Sequence, residues 1–330
     1  EWDNTSVINR LLTLRDEETK MLGYANFAEV SLATKMADSP AQIATFLRDM
    51  ARKARPFAER DLTEMRAFAE TELGMASLES WDYAWVAEKL KLARFSFSDA
   101  EVKQYFPEHK VLAGLFRVIE SLFSVKVLPD IAPVWHPTVR FFRIERAGQL
   151  VGRFYLDLYA RETKRGGAWM DEAITRRRIT SADFSAITQT PVAYLNCNFP
   201  APVGEGANQK PATFSHDDVI TLFHECGHGL HHLLTQVDDL PVSGIHGVEW
   251  DAVELPSQFM ENFCWEWDVL AGMTAHVDSG EPLPRELYDK MIAAKNFQSG
   301  LQTLRQVEFG LFDLLLHSEP GSAGFMSLLQ

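Results

Sequence analysis

Residues 215–232, which read SHDDVITLFHECGHGLHH, are the most informative stretch of this chain. Ser215 is a favoured helix N-cap, and Asp218 supplies an acidic partner three residues later, so a helix is predicted to begin here. Within it, HECGH matches the pattern H-E-x-x-H, whose two histidines lie one helical turn, about 6 Å, apart along the axis. We therefore predict that His224 and His228 project from the same face of one helix.

The spacing of these two histidines is typical of a zinc site. Imidazole nitrogens at positions i and i+4 can converge on one Zn²⁺ at about 2.0–2.1 Å, while Glu225 points to one side, where its carboxylate can act as general base on a zinc-bound water. A third ligand has to come from a later element, and Glu254 lies on a second predicted helix, 26 residues after His228. We predict one Zn²⁺ per chain in a His₂Glu site with an open fourth position, which is a catalytic arrangement.

The charge and composition argue against several other classes of protein. The 330 residues carry 32 Lys and Arg against 46 Asp and Glu, so the formal charge is −14. Nucleic acids and anionic membranes require a cationic surface, and a membrane span requires about 20 consecutive apolar residues, so we expect neither partner. Three widely spaced cysteines are too few for a disulfide scaffold and favour a reducing compartment. We expect a cytoplasmic protein, and we expect it to be a monomer.

The hydrophobic pattern predicts a mainly α-helical protein with a small β-sheet, of the α+β class. We find no internal repeat and no linker, and therefore predict a single catalytic lobe over residues 1–330. Within it, residues 1–125 form a helical scaffold, residues 126–211 a small sheet with loops, and residues 212–330 the helices of the zinc site.

Alternation of apolar and polar residues over 138–145 and 150–159, around a short turn, predicts a β-hairpin. Residues 191–199 form a further candidate strand, for which two interpretations stay open. The strand either binds the substrate backbone along its edge beside the zinc-site helix, or lies buried in the core without substrate contact. Pro56, inside the helical pattern of residues 41–73, predicts a kink or a break.

Two linked motifs resemble those of a known family. HECGH at 224–228, followed by ELPSQ at 254–258, is similar to the signature of the thimet oligopeptidase family of zinc metallopeptidases, peptidase family M3. The resemblance extends over essentially the whole chain and implies a zincin-like catalytic lobe with the same three metal ligands and the same catalytic base. It also implies a zinc-dependent metalloendopeptidase, an oligopeptidase whose substrates are short peptides that a deep channel admits.

The chain departs from the family pattern in two places. Cys226 stands where the family usually has Phe, at a position that faces away from the metal pair, so we expect a modest loss of packing volume. The family also carries a Gly-, Tyr- and His-rich segment that binds substrate and stabilises the oxyanion, and nothing in this chain matches it. Because the chain opens at Glu1 without an initiator Met, we expect an internal fragment of a longer protein, with that segment beyond Gln330.

Three further residues are candidates for supporting roles, each with a plainer interpretation beside it. Glu261, two helical turns after Glu254, either accepts a hydrogen bond from a zinc-bound imidazole or is an ordinary surface Glu. His246, in a Gly-flanked loop, contacts substrate or is simply solvated, and His231 lines the cleft or packs in the core. Two alternative functions also stay open: dipeptidyl-carboxypeptidase specificity, and a zinc-binding but inactive peptide-binding fragment.

Overall fold

The computed structural model describes residues 3–96, 98–180, 186–204, 206 and 209–318. Most of the described chain is helical. The α-helices are α1 (Thr5–Leu22), α2 (Phe27–Leu32), α3 (Pro40–Leu73), α4 (Tyr83–Phe95), α5 (Asp99–Lys103), α6 (Glu108–Phe123), α7 (His216–Leu233), α8 (Leu255–Glu261), α9 (Trp267–Met273), α10 (Arg285–Ala294) and α11 (Ser299–Ser318). None of the described helices is both long enough and apolar enough to cross a bilayer.

The strands form one mixed sheet of five strands and a separate pair. They are β1 (Lys126–Pro129), β2 (Arg140–Arg146), β3 (Gln149–Tyr159), β4 (Trp169–Ile174), β5 (Arg177–Thr180), β6 (Ala186–Gln189) and β7 (Val192–Phe199). The larger sheet has the order β1-β2-β3-β7-β4, in which β7 runs parallel to β3 and antiparallel to β4, while β5 pairs with β6. A helical majority beside a small sheet confirms the α+β class.

The Cα positions divide the chain into two compact units. One comprises Glu1–Phe95, Glu249–Ala252 and Ala293–Gln330, and its described regular elements are all helical. The other comprises Ser96–Val248 and Val253–Ile292 and contains both sheets together with α7 and α8. The single lobe over residues 1–330 stays a prediction.

Two local expectations about helices and strands turn out differently. Helix α3 continues through Pro56, so the chain does not break there, and a kink at this position stays a prediction. Strand β7 pairs on both sides, with β3 and β4, and Ala193 and Cys197 are fully buried, so the core-strand interpretation is confirmed and the substrate-edge interpretation of this strand was wrong. Strand β4 forms the edge of the sheet beside β7, and β1 forms the opposite edge.

Helix α7 begins where the sequence predicted and lies against β7. The Ser215 hydroxyl accepts a hydrogen bond from the Asp218 amide at 3.1 Å, and the Asp218 carboxylate accepts one from the Ser215 amide at 2.8 Å. Such a reciprocal cap stabilises a helix by about 1 kcal/mol. The apolar side chains of Leu222, Phe223 and Leu233 are almost completely buried, and each contributes roughly 1.5–3 kcal/mol of burial free energy. Packing against the sheet thus fixes which face of α7 is left for polar residues.

Candidate metal centre

The structure brings the three predicted metal ligands together. The imidazole rings of His224 and His228 lie with centroids 4.9 Å apart, one turn apart on α7. Nε2 of each ring is 3.1 Å from Oε2 of Glu254. The three donor atoms lie within 4.8 Å of one another, and among the described residues this is the group whose donors are mutually close enough to hold a metal ion. Two imidazoles and one carboxylate match the donor set of a catalytic zinc site.

Glu254 reaches the histidines because α7 and α8 approach each other closely at Gly227. A Cβ atom at this position would lie 2.5 Å from the Pro256 carbonyl oxygen and 2.5 Å from the Ser257 Cα, both of which are backbone atoms. Glu254 is the residue immediately before α8 rather than a residue within the helix, which corrects the predicted placement by one position. The Ser257 hydroxyl donates to the Glu254 carboxylate at 2.8 Å and orients it.

Glu261 contacts His224 from the far side of the ring. Its Oε1 lies 2.7 Å from Nδ1 of His224, and it is the last residue of α8. With Nδ1 donating to this carboxylate, the lone pair of His224 is on Nε2 and points at Glu254, which is the tautomer a metal ligand needs. Glu261 lies two helical turns after Glu254, as predicted, and its carboxylate is positioned to orient the His224 ring.

Glu225 is buried beside the three predicted metal ligands, with 6% of its surface exposed. Burial raises the pKa of its carboxyl, and the nearby Glu254 raises it further, whereas His224 and a hydrogen bond from the Met170 amide lower it. Burial also lowers the pKa of His228, which keeps its imidazole in the neutral form that binds metals. The site therefore holds a carboxyl whose proton affinity is increased, next to the neutral imidazole of His228.

The other candidate residues lie outside this group of three. His231 is partly buried, and its Nδ1 has no hydrogen-bond partner among the described residues, so both interpretations, lining the cleft and packing in the core, stay predictions. His246 is bound to the edge strand, with its Nε2 2.8 Å from Oε2 of Glu172. Cys226 is 3% exposed, and burial raises the pKa of its thiol, as expected for a small apolar packing residue.

Sequence reasoning missed two contributors on β4. Met170 supplies the amide that faces Glu225, and Glu172 supplies the carboxylate that binds His246. The strand reads WMDEAI, in which a weak alternation places Met170 and Glu172 on one face and Asp171 on the other. This alternation was the sequence signal that could have identified the strand. It was overlooked because a Gly- and Arg-rich loop directly precedes the strand.

An H-E-x-x-H helix with a Glu at the start of a following helix, packed against a mixed β-sheet, is the arrangement of the zinc metallopeptidase class. The model of peptidase family M3 matches residues 1–327, and the chain belongs to this family. This confirms the resemblance derived from the two motifs.

Individual relatives agree with the family assignment. Oligopeptidase A of Escherichia coli (strain K12) is 54% identical over 322 residues, which cover 97% of this chain and 46% of the relative. Oligopeptidase A of Haemophilus influenzae is 50% identical over 319 residues, 96% of this chain and 46% of the relative. Dipeptidyl carboxypeptidase of Escherichia coli is 34% identical over 319 residues, 96% of this chain and 45% of the relative. The chain spans about half the length of the curated relatives it matches.

Proposed function

We propose that the intact protein is a zinc-dependent metallopeptidase, an oligopeptidase that hydrolyses short peptides. The observation that carries this proposal is the convergence of His224 Nε2 and His228 Nε2 on one Glu254 oxygen, at 3.1 Å each, beside the buried carboxyl of Glu225. A structural zinc site would use four protein ligands, whereas this group offers three.

The residues present fit a zinc ion. His224, His228 and Glu254 would hold it, and Glu261 and Ser257 orient two of these ligands through hydrogen bonds of 2.7 and 2.8 Å. When bound, Zn²⁺ acts as a Lewis acid that lowers the pKa of water and polarises a peptide carbonyl.

Glu225 is the proposed proton carrier of the reaction. Its carboxylate accepts a proton from the attacking water and then donates that proton to the nitrogen of the leaving amine. Burial raises the pKa of this carboxyl and so makes it a better proton acceptor. The hydrogen bond from the Met170 amide acts in the opposite direction, because it stabilises the ionised carboxylate. Glu225 therefore both binds and returns the proton without forming a covalent bond to the substrate.

Strand β4 is the proposed docking edge for the substrate backbone. In the part of the chain that the structure describes, β4 pairs with β7 on one side only, and its Met170 amide faces Glu225. An extended peptide can add to such an edge through main-chain hydrogen bonds, which tolerate many side chains. This role replaces the one that the sequence suggested for residues 191–199.

Oligopeptidase specificity is preferred to the dipeptidyl-carboxypeptidase alternative because identity to oligopeptidase A of Escherichia coli is 54%, against 34% to the dipeptidyl carboxypeptidase of the same organism. A cytoplasmic location is supported by the cysteines, since Cys197, Cys226 and Cys264 are all free and buried.

A quenched fluorescent peptide with blocked termini tests the proposal in the intact protein. Hydrolysis is expected to fall by at least about 10³-fold in Glu225→Gln, because the general base is lost, and to persist in the control Glu88→Gln, which removes an exposed carboxylate of α4. If the intact wild type binds zinc but cuts no peptide, the result favours the alternative of an inactive, zinc-binding and peptide-binding protein. If Glu225→Gln hydrolyses at the wild-type rate, the proposed base is wrong. Cleavage only when the carboxyl terminus is free would favour dipeptidyl-carboxypeptidase specificity.

A further inference from the structure

The histidine spacing of α7 continues for one more turn beyond the two predicted metal ligands. His232 follows His228 by four residues, and its ring contacts the edge strand β4. Another histidine, His246, contacts the same strand through Glu172. From this geometry we propose that Glu172 and His246 are positioning residues, which hold β4 in place beside the metal centre so that a substrate backbone can add to it. The inference rests on the docking role proposed above for β4.

Strand β4 needs such support because its pairing is one-sided and irregular. Among the described strands it pairs with β7 alone, and the register of that pairing shifts between Glu172 and Ile174. A shift of this kind leaves a residue unpaired and bends the strand. Met170, whose amide donates to Glu225, lies two residues before Glu172. A displacement at Glu172 would therefore also move the amide that faces the proposed base.

His232 anchors the strand after its register shift. The side chain is completely buried, and its Nε2 donates to the Ile174 carbonyl at 3.0 Å. The backbone of Val192, which lies opposite Ile174 on β7, contacts the same ring. A single side chain of α7 thus contacts both strands where their pairing ends. This contact leaves the part of β4 before the shift to be held by another residue.

Glu172 makes the contact before the register shift. Its Oε2 lies 2.8 Å from Nε2 of His246 and accepts a hydrogen bond from the Thr175 hydroxyl at 2.7 Å. Burial opposes ionisation of Glu172, but the Thr175 hydrogen bond and the contact with His246 lower its pKa, so the carboxylate is charged at neutral pH. A hydrogen bond to a charged group is roughly twice as strong as one between neutral groups. The Glu172–His246 contact is therefore strong enough to hold an edge strand.

His246 can serve as an anchor because its loop is itself held close to α7. Ser243 is completely buried, and its hydroxyl donates to the Val237 carbonyl at 2.8 Å. Gly244, with a φ of +66°, lies so close to His232 that a Cβ there would be 2.7 Å from its Nδ1. The loop thus runs against α7 at Gly244 and reaches β4 two residues later, through the ring of His246.

Steady-state peptide hydrolysis by the intact protein tests the role of His246. His246→Ala is expected to raise KM at least about fivefold and to change kcat by less than about twofold, because backbone binding is weakened while the predicted metal ligands and Glu225 remain. His246→Gln is the matched control. Its amide nitrogen can donate to Glu172 in place of Nε2, so KM is expected to stay within about twofold of the wild-type value. Equal KM values in all three proteins would overturn the proposal.

A double-mutant cycle tests whether the two residues act as one unit. Glu172→Ala and His246→Ala are each expected to raise KM, and the double variant is expected to show no larger rise than Glu172→Ala alone. If the two single effects multiply in the double variant, the residues act independently and the proposed pairing is wrong.

Hydrogen exchange gives a readout that does not need activity. Amide exchange over residues 169–174, followed by mass spectrometry of the intact proteins, is expected to be at least about fivefold faster in His246→Ala than in wild type and to recover in His246→Gln. A higher KM without faster exchange would indicate direct substrate contact and contradict the positioning role, as would faster exchange with an unchanged KM. If the intact wild type hydrolyses no peptide, the proposed function fails, whereas the exchange comparison still decides whether His246 holds β4.

Discussion

Oε1 of Glu261 lies 2.7 Å from Nδ1 of His224, on the side of the ring opposite Glu254. The first and last residues of the Glu254–Glu261 segment thus enclose one imidazole between two carboxylates. Because helix α8 connects these two residues, its two turns fix the distance between their carboxylates. This relationship predicts how the metal centre responds to changes outside its ligands.

Replacement of Glu261 by Gln is expected to weaken zinc binding by about 10- to 100-fold, because the carboxylate orients His224 and increases its basicity. Glu266→Gln, which changes a carboxylate just beyond α8, is the matched control and is expected to bind zinc as the wild type does. A competition titration with a chelator of known affinity measures both. Equal affinity in Glu261→Gln and wild type would show that the contact does not orient the ligand.

Replacement of Gly227 by Ala is expected to lower both stability and zinc affinity. The new Cβ would meet backbone atoms of Pro256 and Ser257 at 2.5 Å, so α8 has to move and carries Glu254 with it. The cost in unfolding free energy is about 1–3 kcal/mol.

Gly229→Ala is the control for that variant. Its Cβ would meet the end of the Leu195 side chain at 2.8 Å, which can change rotamer. Denaturant unfolding and zinc titration should therefore separate the two variants, with zinc affinity reduced only in Gly227→Ala. Equal zinc affinity in both variants would contradict the idea that this close approach positions Glu254.

Asp157 predicts a pH-dependent contribution to stability. It is 1% exposed, and its carboxylate contacts Arg161 at 2.6 Å, Lys164 at 3.0 Å and the indole nitrogen of Trp135 at 3.0 Å. Although burial opposes ionisation, these hydrogen bonds lower the pKa of Asp157. A folded-state pKa below the unfolded value stabilises the fold above the unfolded pKa, about 3.9, and the stabilisation is lost as pH falls through the folded value.

The variant Asp157→Asn is therefore expected to lose about 3–5 kcal/mol of unfolding free energy at pH 7, because the buried ammonium of Lys164 loses its oppositely charged partner. The difference from wild type should shrink as pH falls below about 4. Urea unfolding at a series of pH values measures this difference. A difference that stays constant down to pH 3 would show that the charge of Asp157 does not account for its effect.

Replacement of Ser215 by Ala is expected to destabilise the protein by about 1 kcal/mol, because the cap of α7 loses its hydroxyl acceptor while the Asp218 carboxylate keeps its own contact. Thermal or denaturant unfolding measures the change. No loss of stability would indicate that packing alone sets the start of this helix.

The grouping of the candidate metal ligands was predictable from the sequence because each signal was local. His224 and His228 follow from a four-residue spacing, and Glu254 and Glu261 from a motif and a helical repeat. The edge position of β4 was not predictable, since strand order depends on pairing between β7 and two strands distant in sequence. The cluster around Glu172 likewise depends on contacts among a strand, a helix and a loop, which no local pattern encodes.

The most direct test of the proposed metal centre is anomalous diffraction at the zinc absorption edge from crystals of the intact Glu225→Gln variant. The account predicts a peak about 2.0–2.1 Å from Nε2 of His224 and of His228, and at a similar distance from a carboxylate oxygen of Glu254. Absence of a zinc peak between these three residues, in crystals grown with zinc, would contradict it.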